Sequence, residues 1–173
     1  RPAPPALDTR PGPEMPQDST TTRLILFAAP LIAALNLGGP LAHLLELPNK
    51  LNLDRHSYFT VQTIYAGWNR LAWLLAAEVF ALSAAIGATI RDRPRFLLLI
   101  AAVASVLAAQ AIFWLWTFPA NRVTENWTIQ PETWQSLRAQ WEYSHAAGAL
   151  CHILAVGLVA WAALKPPRLS PAR

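Results

Sequence analysis

The sequence predicts an all-α integral membrane protein, a four-helix up-down bundle that follows a disordered, proline-rich N-terminal tail. Of the 173 residues, 54% are hydrophobic and only 14% are charged, and the apolar residues come in long uninterrupted blocks. These blocks approach the roughly 20 residues that an α-helix needs to cross about 30 Å of hydrocarbon. Short connections between successive blocks favour antiparallel neighbours in a bundle.

The predicted chain has three parts: a tail, a transmembrane domain and a second tail. Residues 1–23 hold six prolines and almost no aliphatic side chains, too little apolar surface to offset the entropy lost on folding. The transmembrane domain covers residues 24–165, and residues 166–173 form a cytoplasmic tail. Its spans are predicted at about residues 24–46, 58–90, 96–116 and 132–164.

Prolines and glycines shape the first span. Pro30 and the run from Gly38 to Pro40 predict a kink or a close helix contact near its far end. The helix is expected to stop before Pro48, and residues 49–57 are predicted to form a polar loop. A second loop, containing Pro119, is expected after the third span.

The second span is predicted as one continuous helix over residues 58–90. One face of its amphipathic first third carries Gln62, Tyr65 and Asn69. Glu78 lies in the apolar part and points away from that face. This placement suggests a partner subunit or a local ion pair for Glu78, or a polar tier with Gln110 and His152.

Charge and cysteine content exclude several functions. Cys151 is the only cysteine, so the chain has no internal disulfide and no cysteine-based zinc site. The net charge of +4 at pH 7 comes from basic residues near the helix ends, where membrane proteins need them. Nucleic-acid binding is therefore rejected, and the lipid bilayer is the expected partner.

The same basic residues predict the orientation in the membrane. Nine of the 14 lysines and arginines lie on the side of the tails: Arg1, Arg10, Arg23, Arg91, Arg93, Arg95, Lys165, Arg168 and Arg173. Because basic residues concentrate on the cytoplasmic side, both termini are expected in the cytoplasm, with the bacterial inner membrane as the expected location.

Candidate catalytic or metal-binding side chains lie where the first helix ends and the fourth begins. His43 and Glu46 are three residues apart, as are Glu142 and His145, so each pair shares a helix face. Antiparallel packing is expected to bring both pairs to a similar depth near the outer membrane face. Two imidazoles and two carboxylates suit one transition-metal ion; a dinuclear site would need two further carboxylates.

Three interpretations of this cluster stay open from the residues alone. It could bind a metal ion, or it could perform acid–base chemistry without one. In a purely structural interpretation, the histidines hydrogen-bond inside the bundle while the carboxylates pair with Arg138 or Lys50.

Three stretches of the chain resemble a known family. They are GGPLAHLLELPNKL, YFTVQTIYAGW and FPANRVTENWTIQPETWQSLRAQWEYSHAAGAL, within residues 36–160. These stretches look like the anthrone oxygenase-like family of four-helix integral membrane proteins. The most specific similarity lies in Pro119, Asn121, Trp127, Trp134, Arg138, Trp141 and His145. The resemblance implies an oxygenase that converts an anthrone to an anthraquinone with molecular oxygen and without an added cofactor, although substrate does not transfer with family.

Two functional classes follow from the residues and the resemblance. The first is a membrane oxygenase or oxidoreductase that acts on a hydrophobic aromatic or quinone-like molecule, and its catalytic candidates are His43, Glu46, Glu142 and His145. Its expected substrate-binding residues are Tyr65, Asn69, Trp114, Asn121, Arg138 and Trp141. The second is a non-catalytic subunit that docks a membrane protein partner. The expected cofactor is none or one transition-metal ion, and haem between His43 and His145 is less favoured.

Overall fold

The computed structural model describes residues 17–167, and every regular element within this range is helical. Four helices of the described chain are long and apolar enough to cross a membrane: Thr20–Lys50, Trp68–Thr89, Arg93–Val123 and Trp134–Leu164. The protein is therefore an all-α, four-helix integral membrane protein, as predicted. Most of the predicted tails, at residues 1–16 and 168–173, lies outside the described residues.

Helix α1 (Thr20–Lys50) is longer at both ends than the predicted span. It starts inside the predicted tail, because the Ser19 hydroxyl accepts the N–H of Thr22 at 3.1 Å and caps the first turn. It also continues through its three prolines, so the predicted stop before Pro48 is wrong. Lys50 in the last turn is 3% exposed, and its buried contacts hold this turn helical against the local preference for a stop.

The second span is broken, which corrects the prediction of one helix over residues 58–90. Helix α2 (Arg55–Gln62) leads into a 3₁₀ turn, and the spanning helix α3 (Ala72–Thr89) follows a second 3₁₀ turn. Between these turns Gly67 has φ +84°, a left-handed conformation that interrupts a right-handed helix. Only residues 51–54 remain of the predicted polar loop, because helices occupy both of its ends.

The third span extends beyond its predicted end. Helix α4 (Arg93–Ile112) continues through a π-helical turn (Phe113–Thr117) into α5 (Phe118–Val123). The predicted loop at Pro119 is therefore helical at that position. Pro119 lies in the first turn of α5, directly after the π-helical turn, and its fixed φ suits a helix. Helix α6 (Trp134–Leu164) agrees closely with the predicted fourth span.

The spanning helices form an antiparallel ring, because α1 and α4 each pack against both α3 and α6. One half of the core is rich in small side chains that let the helices approach closely, including Ala29, Ala81, Ala85, Ala102 and Ala155. The other half lies where α1 ends and α6 begins, and we call it the site end. Its core is aromatic: Tyr58, Phe59, Trp127, Trp134 and Trp141. Large apolar side chains are exposed around the bundle, as lipid contact requires.

Candidate functional site

The two candidate histidines of the site end are in contact. His43 on α1 and His145 on α6 have ring centroids 4.2 Å apart and an interplanar angle of 37°. Trp141 packs against both, with ring centroids 4.9 Å from His43 and 4.2 Å from His145. Tyr65 and Trp68 also contact His43, at centroid distances of 4.6 and 5.4 Å. The histidine pair thus lies within an aromatic cage.

Glu142 is held in a buried network instead of facing the histidines. Its Oε1 lies 2.7 Å from Lys50 Nζ and accepts a hydrogen bond from the Tyr58 hydroxyl at 2.9 Å. Gln62 Nε2 in turn donates to the Tyr58 hydroxyl at 2.8 Å. Of the pairings that the sequence left open, that of Glu142 with Lys50 is therefore the one formed.

Glu46 joins the same network through Tyr65. The Tyr65 hydroxyl donates to the Glu46 carboxylate and accepts a hydrogen bond from Lys50 Nζ at 3.2 Å. His43 Nδ1 lies 3.9 Å from Glu46 Oε2, which is too far for a direct hydrogen bond. All four candidate residues thus lie at the site end. The two carboxylates, however, bind Lys50, Tyr58 and Tyr65.

The two tyrosines of this network act as hydrogen-bond donors. Burial, together with the nearby Glu142 carboxylate, raises the pKa of the Tyr58 phenol above its ordinary value. Burial and the hydrogen bond to Glu46 raise the pKa of Tyr65 in the same direction. Both phenols therefore keep their protons, and each presents an O–H to a carboxylate.

The predicted metal site does not form in the part of the chain that the structure describes. No three histidine, cysteine, aspartate or glutamate side chains converge there as ligands. Lys50 and Tyr58 both bind Glu142 Oε1, and Tyr65 binds the Glu46 carboxylate, while within residues 17–167 Glu142 Oε2 is buried without a hydrogen-bond partner. The rings of His43 and His145 lie in direct contact, so this arrangement leaves no space between them for the haem macrocycle.

Arg138 has a structural role and pairs with neither candidate carboxylate. Its Nη1 donates to the backbone oxygen of Leu53 at 2.7 Å. The guanidinium carbon lies 4.7 Å from the Trp134 ring centroid and 5.4 Å from that of Tyr58. The side chain therefore ties the residues after α1 to the start of α6.

A cavity of about 1140 Å³ adjoins the histidine pair. Both imidazoles line it, together with five of the six predicted substrate-binding residues: Tyr65, Asn69, Trp114, Asn121 and Trp141. The sixth predicted residue, Arg138, does not line the cavity. Glu46 and Glu142 do not line it either. Trp114, one of the wall residues, is also 57% exposed on the outer surface of the bundle.

Asn121 organises the tryptophans of this wall. Its Oδ1 accepts hydrogen bonds from Trp127 Nε1 at 3.2 Å and from Trp141 Nε1 at 2.7 Å. Trp127 reaches this position through a left-handed turn, in which residues 125–127 have φ values of 48°, 57° and 66°. The Asn126 N–H donates to the Asn121 backbone oxygen at 2.7 Å and stabilises the turn.

The π-helical turn supplies wall residues that sequence reasoning missed. Phe113 and Thr117 line the cavity, as does Ser144 opposite them on α6. The hydroxyl oxygens of Thr117 and Ser144 lie 2.7 Å apart and join the two helices. No local sequence signal announces a π-helical turn, although such turns are frequent at functional sites.

The deep end of the cavity contains Asn36 and His152, beside Glu78. Glu78 is 1% exposed within this one chain, so the partner subunit considered for it is not required. The polar tier with His152 is present; Gln110 lines the cavity as well. Asn36 was missed, although it precedes His43 by seven residues and hence shares its helix face.

Comparison of the chain with protein families, with curated proteins and with solved structures finds no significant match. The residues and the geometry of the cavity are therefore the basis for assigning a function.

Proposed function

We propose that this chain is a membrane-embedded oxidoreductase of the oxygenase type that acts on a hydrophobic aromatic or quinone-like molecule bound in the cavity. The observation that carries the proposal is the contact between His43 and His145 in the wall of an aromatic-lined cavity. Small-molecule sites are mostly apolar clefts with a few convergent polar groups. Imidazole is the side chain that most often transfers protons near neutral pH, and His145 is the proposed base.

The surroundings of the cavity favour a lipophilic substrate. Its wall is rich in aromatic rings, and Trp114 extends it to the surface that faces the hydrocarbon. We infer that a planar aromatic molecule dissolved in the bilayer enters the cavity from this side. Stacking and edge-to-face contacts with the rings of Trp141 and Tyr65 provide its binding energy.

The buried ion pair has a positioning role in this proposal. Lys50 Nζ lies 4.4 Å from the centroid of the Trp141 ring, and Trp141 contacts both imidazoles. Lys50 and Glu142 therefore hold α1 and α6 at the separation that keeps the histidines in contact. This replaces the predicted catalytic role of the carboxylates.

A base is sufficient to start the proposed reaction. A methylene group conjugated to a carbonyl, as in an anthrone, loses a proton to the His145 imidazole, and its electron pair delocalises over the rings. Molecular oxygen accepts these electrons and takes the proton back, forming a hydroperoxide at the same carbon. Loss of water then leaves a second carbonyl, so one oxygen atom enters the quinone and the other leaves as water.

The family resemblance supports the same proposal by the position of its residues. Asn121, Trp127, Trp141 and His145 all line the cavity. We therefore propose membership of the anthrone oxygenase-like family together with the activity. Anthrone is used below as a probe of this activity.

The test measures oxygen uptake and quinone absorbance with protein in lipid nanodiscs and anthrone as substrate. His145→Phe keeps a ring beside Trp141 but removes the proton acceptor, so we expect a rate at least about 100-fold lower. Tyr143→Phe, an exposed position on the same helix, is the matched control and should keep the wild-type rate. Equal rates for His145→Phe and wild type would contradict the base. Binding of anthrone without turnover by the wild-type protein would favour a non-catalytic subunit.

We also propose that both termini are cytoplasmic, in a bacterial inner membrane, because nine of the 14 basic residues lie on that side. Single cysteines in a Cys151→Ala background test the orientation. Glu132 has a side chain 95% exposed at the site end, and Arg93 is exposed at the opposite end. An impermeant thiol reagent on intact cells should label Glu132→Cys but not Arg93→Cys, and the opposite pattern would reverse the orientation.

A further inference from the structure

A second polar group of side chains lies at the deep end of the cavity, and we call it the lower cluster: Asn36 on α1, Glu78 on α3 and His152 on α6. Asn36 Nδ2 donates to Glu78 Oε2 at 2.5 Å, and His152 Nδ1 lies 3.9 Å from the same oxygen. Their exposed fractions are 9%, 1% and 5%. Asn36 and His152 line the cavity.

The lower cluster is in register with the histidine pair. Asn36 precedes His43 by seven residues on α1, and His152 follows His145 by seven residues on α6. Seven residues make almost two full turns, so both sets lie on the same side of each helix, about 10 Å apart along it. Each helix therefore presents a polar group at both ends of the same stretch of cavity.

Between the histidine pair and the lower cluster, the cavity-lining residues of α1 and α6 are small. Gly39 and Pro40 on α1 and Gly148 on α6 all line the cavity. A Cβ atom added at Gly148 meets nothing within 4 Å, so the space in front of this glycine is open. The open surface at Gly148 suits the face of a planar ring system, whereas the side chains of Leu71 and Trp68 lie in front of Gly39.

The lower cluster has unused hydrogen-bonding capacity. Within residues 17–167, His152 Nδ1 and Glu78 Oε1 are buried without a hydrogen-bond partner. Asn36 uses one of its two amide hydrogens for Glu78, which leaves the other for a ligand. Unpaired buried polar groups are costly in an apolar span, and ionisable residues there usually have a function.

We propose that the lower cluster is a second ligand subsite, in which Asn36 and His152 donate hydrogen bonds to a carbonyl or phenolic oxygen of the bound molecule. The inference rests on the proposed function, since the other end of the same molecule lies against His43 and His145. It narrows the substrate class to planar aromatic ketones or quinones whose oxygen lies across one six-membered ring from the carbon that faces the imidazoles.

The spacing of the two sets along the helices, about 10 Å between Cα positions, fits this class. A base approaches a reacting carbon at about 3–3.5 Å, and a hydrogen bond to oxygen takes about 2.9 Å. Subtracting these two distances from the roughly 10 Å between the sets leaves about 4 Å. This is the distance between a ring carbon and the exocyclic oxygen on the opposite side of the ring. When the carbon loses its proton, the electron pair delocalises onto this oxygen, where hydrogen-bond donors stabilise the charge.

Three ring-matched probes test the subsite by quenching of tryptophan fluorescence in nanodiscs. Anthraquinone has an oxygen at both of the opposed ring positions, anthrone at one and anthracene at neither. His152→Leu should weaken binding of the two ketones about tenfold and leave anthracene unchanged. Asn36→Leu should act in the same direction. Ser105→Ala is the control, because the Ser105 hydroxyl donates to the Ala101 backbone oxygen of its own helix.

A steric pair of variants tests the space between the two sets. Gly148→Leu places a side chain in the open space and should abolish saturable binding of all three probes. Gly157→Leu is the matched control, since Gly157 is exposed on the same helix and also has nothing within 4 Å of an added Cβ. It should bind like the wild type.

The outcomes separate the two proposals. If no probe binds the wild type better than it binds Gly148→Leu, the proposed function fails and the subsite fails with it. If all three bind but His152→Leu weakens anthraquinone and anthracene equally, the cavity stands and the lower subsite is overturned. His152→Gln retains an N–H donor, so it should keep the preference for ketones; if His152→Leu does not fold, loss of that preference in His152→Gln would overturn the proposal.

Discussion

Lys50 and Glu142 form a buried ion pair, with 2.7 Å between Nζ and Oε1 and exposed side-chain fractions of 3% and 0%. The pair joins the last turn of α1 to α6 and lies beside the histidines. It also explains why α1 continues past Pro48: the helical turn that ends at Lys50 delivers the ammonium group to the carboxylate.

Replacing one partner of the ion pair should lower the free energy of unfolding strongly. Replacing both partners should lower it much less. Lys50→Met or Glu142→Gln alone leaves one buried group without its partner, and each is expected to lower the free energy of unfolding by about 3–5 kcal/mol. The double variant should lose clearly less than the sum, because no uncompensated charge remains. A double-mutant cycle of unfolding in mixed detergent micelles measures this coupling.

The control for this cycle is the exposed pair of Arg55 and Glu132, whose charged atoms lie 3.7 Å apart. Glu132→Gln should change the free energy of unfolding by less than about 1 kcal/mol. Additive losses in the Lys50 and Glu142 cycle would show that the two side chains do not depend on each other.

Asn121 is predicted to stabilise the aromatic cluster through its two indole contacts. Asn121→Leu keeps the side-chain size but removes the acceptor of Trp127 and Trp141, which are 6% and 4% exposed. Leaving both N–H groups unpaired should cost about 2 kcal/mol or more. Thermal unfolding measures the loss, and Asn49→Leu at an exposed position serves as control. A loss no greater than that of the control would mean that the indoles find other partners.

Two glycine-to-alanine variants isolate the effect of backbone strain, because neither position is crowded. Neither Gly67 nor Gly38 has an atom within 4 Å of an added Cβ, but Gly67 has φ +84° while Gly38 lies inside α1. Gly67→Ala should therefore lower the free energy of unfolding by about 1–2 kcal/mol. Gly38→Ala should be neutral or stabilising by up to about 1 kcal/mol. Similar effects of the two variants in equilibrium unfolding would argue against a conformational role for Gly67.

Buried Tyr58 and partly buried Tyr65 predict a loss of stability at high pH. The pKa of Tyr58 and that of Tyr65 are raised above about 10, so above this pH the folded state retains protons that the unfolded chain releases. Their stabilisation is complete below about pH 10 and falls as the pH rises. Between about pH 9 and 11, unfolding free energies should decline more steeply for the wild type than for the Tyr58→Phe/Tyr65→Phe variant. Parallel declines would assign the effect to other groups.

Part of the site was predictable because its signals are local. Three-residue spacing places His43 with Glu46 and Glu142 with His145, and helix direction brings the two pairs to the same end of the bundle. The partners of each side chain were not predictable. Lys50 was one of two cations that could pair with a carboxylate, and the choice depends on where α1 ends, which sequence reasoning placed too early.

The sequence alone determined the four membrane spans, because long apolar blocks must lie in lipid whatever their neighbours are. Only the tertiary structure decided how these spans begin, break and end. Gly67 breaks the second, the π-helical turn prolongs the third, and Lys50 extends the first. The physical reason is that each of these ends depends on backbone conformations or on contacts between distant residues, such as Lys50 with Glu142. Such contacts can outweigh the local preferences that a sequence displays.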